Sequence, residues 1–455
     1  METTRQKNKF YLGSFGPVFP FIIMIAALIY MAFQGTLSSS AAGAAAFLGF
    51  CAAFFVMKDK QEFANIAVRG FSSTMLAQMI MAFLLAGTIA KLMDMAGLVK
   101  ALVWFATNLG IGGQFIPIVV FLTGAIISSA TGTSGGTMTT TTPILLPLAV
   151  ALGCDVNLVA GAILSGAMFG DNIAPVSDTT IASAMTQETD VYNVVKSRLK
   201  YAFAAALIAI IFYGYFGMKT TVPVQADAAM LEGVKPMALC LLFIPVLVVI
   251  LMRMQKGLVY SMVVASLVGL AMSLALGLIG IDQIFSASGV IASGMQGMMS
   301  IFPFFYFAYV LNEIFVEGGV IERIVDKIQG FATTPRKAEI ACGLLTCIGI
   351  FFISSPTVNI VTVGPTVRKI AKEHNLSRER SANILDGFSC ALGGTLPYSA
   401  TTLFPLGLIV ATGLVPENYS VMSYVPYSFH CWALLFVFWF ALITGWGRKF
   451  DTKGE

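Results

Sequence analysis

The chain has 455 residues, of which 57% are hydrophobic and 11% charged, with a formal net charge of +4. Its mean hydropathy is +0.84. Soluble domains carry about a quarter charged residues, so most of this surface does not face water; soluble, secreted and nucleic-acid-binding classes are excluded. At about 20 residues per span, the length accommodates roughly ten crossings in one integrated membrane domain.

The segment METTRQKNKF is basic and polar, and the apolar run Pro17 to Phe33 reads as a first, uncleaved transmembrane helix. Further apolar runs long enough to span fall near 38–57, 72–92, 201–217, 236–252, 258–280, 298–315 and 427–446. Other runs are interrupted. Residues 115–128 and 143–152 flank SSATGTSGGTMTTTT, and 339–353 and 357–367 flank SSPTVN. Segments 157–185 and 383–413 are broken by FGDNIAPVSDTT and LGGTLPYSATT. Dense Gly, Pro, Ser and Thr unwind a helix, and unwound backbone at membrane depth survives only packed in protein or lining a cavity. The seven cysteines form no CxxC pair and read as small buried hydrophobes.

The two halves repeat. Pro175-x-Ser177-x-Thr179-Thr180 recurs as Pro397-x-Ser399-x-Thr401-Thr402, an interval of 222 residues that also relates Gly97 to Gly319 and Pro143 to Pro365. Interrupted segments in corresponding positions of two halves point to a transporter binding site. The expected architecture is an all-α polytopic membrane protein with inverted repeats, divided as 1–218 and 219–455. In this scheme 112–154 and 339–380 are re-entrant hairpins, and 157–195 and 381–415 are broken full spans. Both termini then lie inside, with 23 of the 27 Lys and Arg on the inner side and only Lys91, Lys100, Lys219 and Lys235 outside. That bias fits the positive-inside rule for a bacterial inner membrane.

Asp171, Asp178 and Asp386 lie inside broken apolar segments, with no Lys or Arg in the same segments. An ionisable side chain at that depth costs about 2.5–3.5 kcal/mol on insertion scales unless hydrated or paired. A capping Asp inside the bundle is the plain alternative for each. The functional reading is a cation or proton site. Asp171, Asp178, Asn172, Ser177 and Thr179 offer the oxygen ligands that hard cations prefer. The hairpin tips add Thr133, Ser134 and Thr137, and Ser355, Thr357 and Asn359. Asp386, Ser399 and Thr401 complete the expected pathway. Of the two histidines, His374 sits in a basic loop and His430 opens the last helix near an interface, so a proton step falls to carboxylates. No catalytic set stands out, and HExxH and Walker patterns are absent, which leaves no enzyme reading and no cofactor.

The stretches SGAMFGDNIAPVSDTT (165–180), ATGTSGGT (130–137) and LLAGTIAKLMDMAGLVKAL (84–102) resemble the NhaC-type Na+/H+ antiporters of the ion transporter superfamily. The resemblance is specific over about 70–190 and looser in the second half. It implies secondary transport driven by sodium or protons, with inverted repeats, re-entrant hairpins and a homodimer. It places the family's acidic motif on Asp171 and Asp178, and its tip on Gly132, Thr133 and Ser134. Two departures stand out: Gly135 where a Trp is common, and PYSATT where a Pro-Trp-Asn-like stretch is common. The first expectation is therefore Na+/H+ antiport. The second is sodium- or proton-coupled carriage of a small organic acid or amino acid, and a passive channel is the third.

Overall fold

The computed structural model describes residues 9–451 except 35, 99, 102–103, 106–112, 223–232, 255 and 321–329. The Gly97 and Gly319 motifs run partly outside the described residues, as do Arg5, Lys7, Arg323, Lys327 and Lys453 of the charge scheme. Among the described residues the ordered elements are helices, and β pairing is confined to two isolated bridges. Six helices are long and apolar enough to cross a membrane, or seven if one bent pair counts as a span. The expected ten is thus too many by that measure, because runs such as 17–34 and 236–252 form shorter apolar helices, Phe19–Met31 and Pro236–Met252. The chain is a multi-pass membrane protein.

In the first half, α1 (Phe19–Phe33), α2 (Ser39–Val56), the short amphipathic α3 (Lys60–Phe71) and α4 (Thr74–Met95) precede a helical hairpin, α5 (Ile116–Thr131) and α6 (Ser134–Ala151). A broken helix follows as α7 (Val156–Ile173) and α8 (Asp178–Thr186), then the long α9 (Val191–Thr220). The second half contains α10 (Phe243–Arg253), α11 (Leu258–Ala275), the short α12 (Ile281–Phe285), α13 (Val290–Met298) and α14 (Phe302–Glu317). A second hairpin, α15 (Pro335–Ile353) and α16 (Pro356–Glu373), leads to a second broken pair, α17 (Arg378–Gly393) and α18 (Ala400–Ala411). The last helix is α19 (Phe429–Thr444).

The boundaries repeat at a fixed interval. Helices α6, α7 and α8 begin at Ser134, Val156 and Asp178, and α16, α17 and α18 begin at Pro356, Arg378 and Ala400, each 222 residues later. The turn chemistry repeats with them. Helix α5 ends on Gly132 at φ 69°, and α15 ends on Ser354 at φ 60°. Left-handed backbone is free for glycine but costs about 1–2 kcal/mol for serine, so the second hairpin carries local strain that the first avoids.

Helix α7 is buried almost throughout, from Leu158 to Asn172, because the arm α5 packs directly against it. Small residues permit that approach. A Cβ on Gly166 would meet Phe121 O at 2.3 Å, and one on Gly170 would meet Ala125 O at 2.4 Å. Close backbone contact of this kind replaces the hydrophobic drive that lipid cannot supply. The Ser128 hydroxyl donates to Ala167 O at 2.6 Å across the same seam. On the outer side, α9 presents Phe203, Leu207, Ile211 and Tyr215 exposed, as a surface against acyl chains requires.

The helices also correct several sequence expectations. The run expected at 201–217 begins at Val191, so Lys196, Arg198 and Lys200 belong to a helix rather than a loop, and Arg198 is fully buried. Arg368 and Arg380, counted as inner-loop charges, are buried as well. His430, expected at an interface, is wholly enclosed, edge-on to Phe169 at 5.1 Å. Of the cysteines, Cys240 is exposed rather than buried.

Candidate functional site

A cavity of about 460 Å³ lies where the two hairpin tips meet the two helix breaks. Thr133, Ser134 and Gly135 come from the first tip, and Ser355, Pro356 and Thr357 from the second. Asp171, Asp178 and Thr179 come from the α7–α8 break, and Ala400 and Thr401 from the start of α18. Segments separated by hundreds of residues converge because each break leaves polar backbone that must be gathered into one place away from lipid.

Asp171 ends the buried part of α7 and is 4% exposed. The hydroxyls of Ser134 and Ser177 approach its carboxylate, yet Oδ1 has no hydrogen-bond partner. Asp178 opens α8 and is exposed, at the cavity wall. Its Oδ1 accepts from the Thr179 amide at 3.0 Å, and its Oδ2 accepts from the Thr357 hydroxyl at 2.9 Å. The first-half carboxylate is therefore tied to the second-half tip. Neither carboxylate forms an ion pair, and the lining includes no Lys or Arg among the described residues.

Eight of the residues expected at the site line this cavity: Thr133, Ser134, Asp171, Asp178, Thr179, Ser355, Thr357 and Thr401. The others stand behind it. Ser177 is fully buried and shares a hydrogen bond with Thr179 Oγ1 at 3.0 Å. The Thr137 hydroxyl donates to Thr133 O at 2.9 Å, inside the first hairpin. Asn359 braces the second hairpin, donating to Thr346 O at 3.1 Å and Ser389 Oγ at 2.8 Å. Ser399 caps α18 by accepting from the Thr401 amide at 3.1 Å.

Asp386 is corrected outright. It does not line the cavity and is not unpaired: Arg198 reaches it at 2.5 Å, with both side chains wholly buried. The partner comes from α9, outside the segment in which it was sought. The surrounding groups satisfy both ions. Arg198 donates to Asn383 Oδ1 at 2.9 Å, Asn172 O at 2.6 Å and Thr180 Oγ1 at 3.1 Å. Asp386 accepts from Asn172 Nδ2 at 3.4 Å and Cys390 Sγ at 3.0 Å. Asn172 thus belongs to this structural network rather than to the cavity.

The sequence reading missed Gln78, Cys390, Phe404 and the segment Gly257 to Tyr260, all of which line the cavity. Gln78 carried a signal, as an amide within an apolar run. The 257–260 segment carried none, since the start of a helix is an ordinary place for Gly. Among the described residues no cluster of three or more His, Cys, Asp or Glu side chains forms. A cation here therefore draws on the two carboxylates, hydroxyls and freed carbonyls, a hard-oxygen set.

Comparison with known proteins agrees with this geometry. The malate-2H+/Na+-lactate antiporter of Bacillus subtilis (strain 168) is 24% identical over 86% of this chain and 85% of its own length. The Na+/H+ antiporter NhaC of Alkalihalophilus pseudofirmus is 24% identical over 76% of this chain and 77% of its own. The solved structure of the efflux pump MtrF of Neisseria gonorrhoeae aligns with 93% of this chain and 94% of its own, at 14% identity and a TM-score of 0.41. The profile of the Na+/H+ antiporter family matches residues 11–218 and 222–446, nearly the whole length, and the chain belongs to that family of secondary active transporters.

Proposed function

We propose that the chain exchanges Na+ for H+ through this cavity, with Asp171 and Asp178 holding the two ions in turn. The observation that carries the reading is the buried Asp171 carboxylate, whose Oδ1 has no partner although it borders a cavity. A carboxylate enclosed without a fixed cation is costly while charged. It is neutralised by a proton or by a metal ion, and one excludes the other. Competition at one carboxylate converts a gradient of either ion into movement of the other. Ser134 and Ser177 beside Asp171, and Thr179 and Thr357 beside Asp178, supply the remaining oxygens.

The halves 1–218 and 219–455 act as inverted repeats around the cavity in this reading. Rocking of one against the other exposes Asp178 to alternate sides. The charge bias supports a bacterial inner membrane with both termini cytoplasmic, and the family resemblance supports a homodimer. A second reading, coupled carriage of a small organic acid, is favoured by the cavity volume of about 460 Å³ and by the similarity to a malate/lactate antiporter. Proteoliposomes decide between them. A sodium gradient drives saturable proton flux under the first reading. If protons stay put while a labelled organic acid accumulates with sodium, the second takes its place; flux without saturation or counterflow leaves a channel.

A further inference from the structure

We propose that the cavity also binds a small α-amino acid with an apolar side chain, its ammonium on Asp178 and its carboxylate on helix amides. The proposal rests on the reading that Asp171 and Asp178 line the transport site, and it adds an organic occupant to that site. Helices α6, α8, α11, α16 and α18 all begin at the cavity wall, where Ser134, Asp178, Leu258, Pro356 and Ala400 line it. Each N-terminus offers unpaired amides and a positive partial charge. In three of them the amides are engaged: Gly136 N–H by Thr133, Thr179 N–H by Asp178 and Thr401 N–H by Ser399. Helices α11 and α16 have no side-chain cap, because Gly257 has no side-chain oxygen and Ser355 does not turn back.

The two poles adjoin. Asp178 accepts from the hydroxyl of Thr357, the second residue of α16, at 2.9 Å. A negative side chain and an open positive helix end are therefore next to each other, matching an ammonium and a carboxylate carried on one carbon. An inorganic cation leaves the free amides unmatched, and an organic anion meets two carboxylates with no Lys or Arg to offset them. A zwitterion satisfies both. Asp171, 4% exposed with Oδ1 unpartnered, keeps a separate place for the ion in the same cavity. The rest of the wall is apolar, with Met79, Met138, Met168 and Phe404. The volume, about 460 Å³, exceeds what an ion requires and falls within the roughly 300–1,000 Å³ of organic ligand sites. Gly135 leaves part of that space open, since a Cβ there would stand 3.8 Å from the Phe404 ring and 3.9 Å from Thr133 Oγ1.

The test is equilibrium binding to the purified full chain in sodium buffer. The probes are leucine, alanine, 3-methylbutylamine (leucine without its carboxylate) and 4-methylpentanoate (leucine without its amine). Leucine is expected to bind saturably, and each one-pole analogue about tenfold more weakly or worse, since each forfeits a set of charged hydrogen bonds. Gly135→Leu is expected to weaken leucine about tenfold while alanine still binds, a size shift that a misfolded protein would not show. Either analogue matching leucine overturns the proposal, as does Gly135→Leu binding leucine like the parent or losing both amino acids alike. Failure of leucine to bind at millimolar concentration, with sodium-driven proton flux intact in proteoliposomes, overturns the amino-acid site and leaves exchange standing. Leucine binding without such flux does the reverse.

Discussion

The Arg198 guanidinium meets the Asp386 carboxylate at 2.5 Å, and neither side chain is exposed. The contact fastens α9 of the first half to α17 of the second, behind the cavity. Taking two ions out of water is costly, and removing one partner of such a pair costs about 3–5 kcal/mol because the other charge is left stranded. Arg198→Met and Asp386→Leu are each expected to lower the melting temperature of the solubilised protein sharply. The double variant should melt above both singles; a double variant no better than the worse single would show that the two residues act independently.

Asp171 should behave in the opposite way. Its Oδ1 has no partner to strand, so Asp171→Asn removes a charge without orphaning another group. The expected result is a chain that melts near the parent and has lost sodium-driven proton flux in proteoliposomes. A variant that still exchanges at the parental rate would take Asp171 out of the ion path.

At the other carboxylate, the Thr357 hydroxyl donates to Asp178 at 2.9 Å. Thr357→Val deletes that donor, and hydrogen bonds to charged groups contribute about 1.5–3 kcal/mol when shielded, less at this partly open wall. A severalfold change in the sodium concentration for half-maximal flux is expected, with Thr357→Ser restoring the parental value. Asp178→Asn should abolish coupled transport while membrane insertion persists, and unaltered sodium affinity in that variant would count against its role as a ligand.

Two glycines near the site should respond differently to the same added methyl. At Gly170 the new Cβ would lie 2.4 Å from Ala125 O and 2.5 Å from Ser128 Cβ, inside the α5–α7 seam. Overpacking of this kind costs about 1–3 kcal/mol. At Gly135 the nearest atom is 3.8 Å away, and Gly→Ala within a helix is favourable by about 0.5–1 kcal/mol. Thermal melts of Gly170→Ala and Gly135→Ala should therefore shift in opposite directions.

The sequence by itself determined the membrane class, the two interrupted hairpins and the repeat at 222 residues, because hydropathy and helix-breaking residues act locally. It also marked Asp171 and Asp178, since a carboxylate in an apolar run is legible without knowing its neighbours. Only the tertiary structure decided which of the marked polar residues share a cavity and which brace the walls behind it. Asp386 looked as bare as Asp171 along the chain, but its partner Arg198 stands 188 positions away on another helix. The open ends of α11 and α16 were equally silent, for whether a helix terminus is capped or free depends on what the fold brings to face it. Charge in a membrane is felt over a few ångströms, and that distance is set by packing rather than by spacing along the chain.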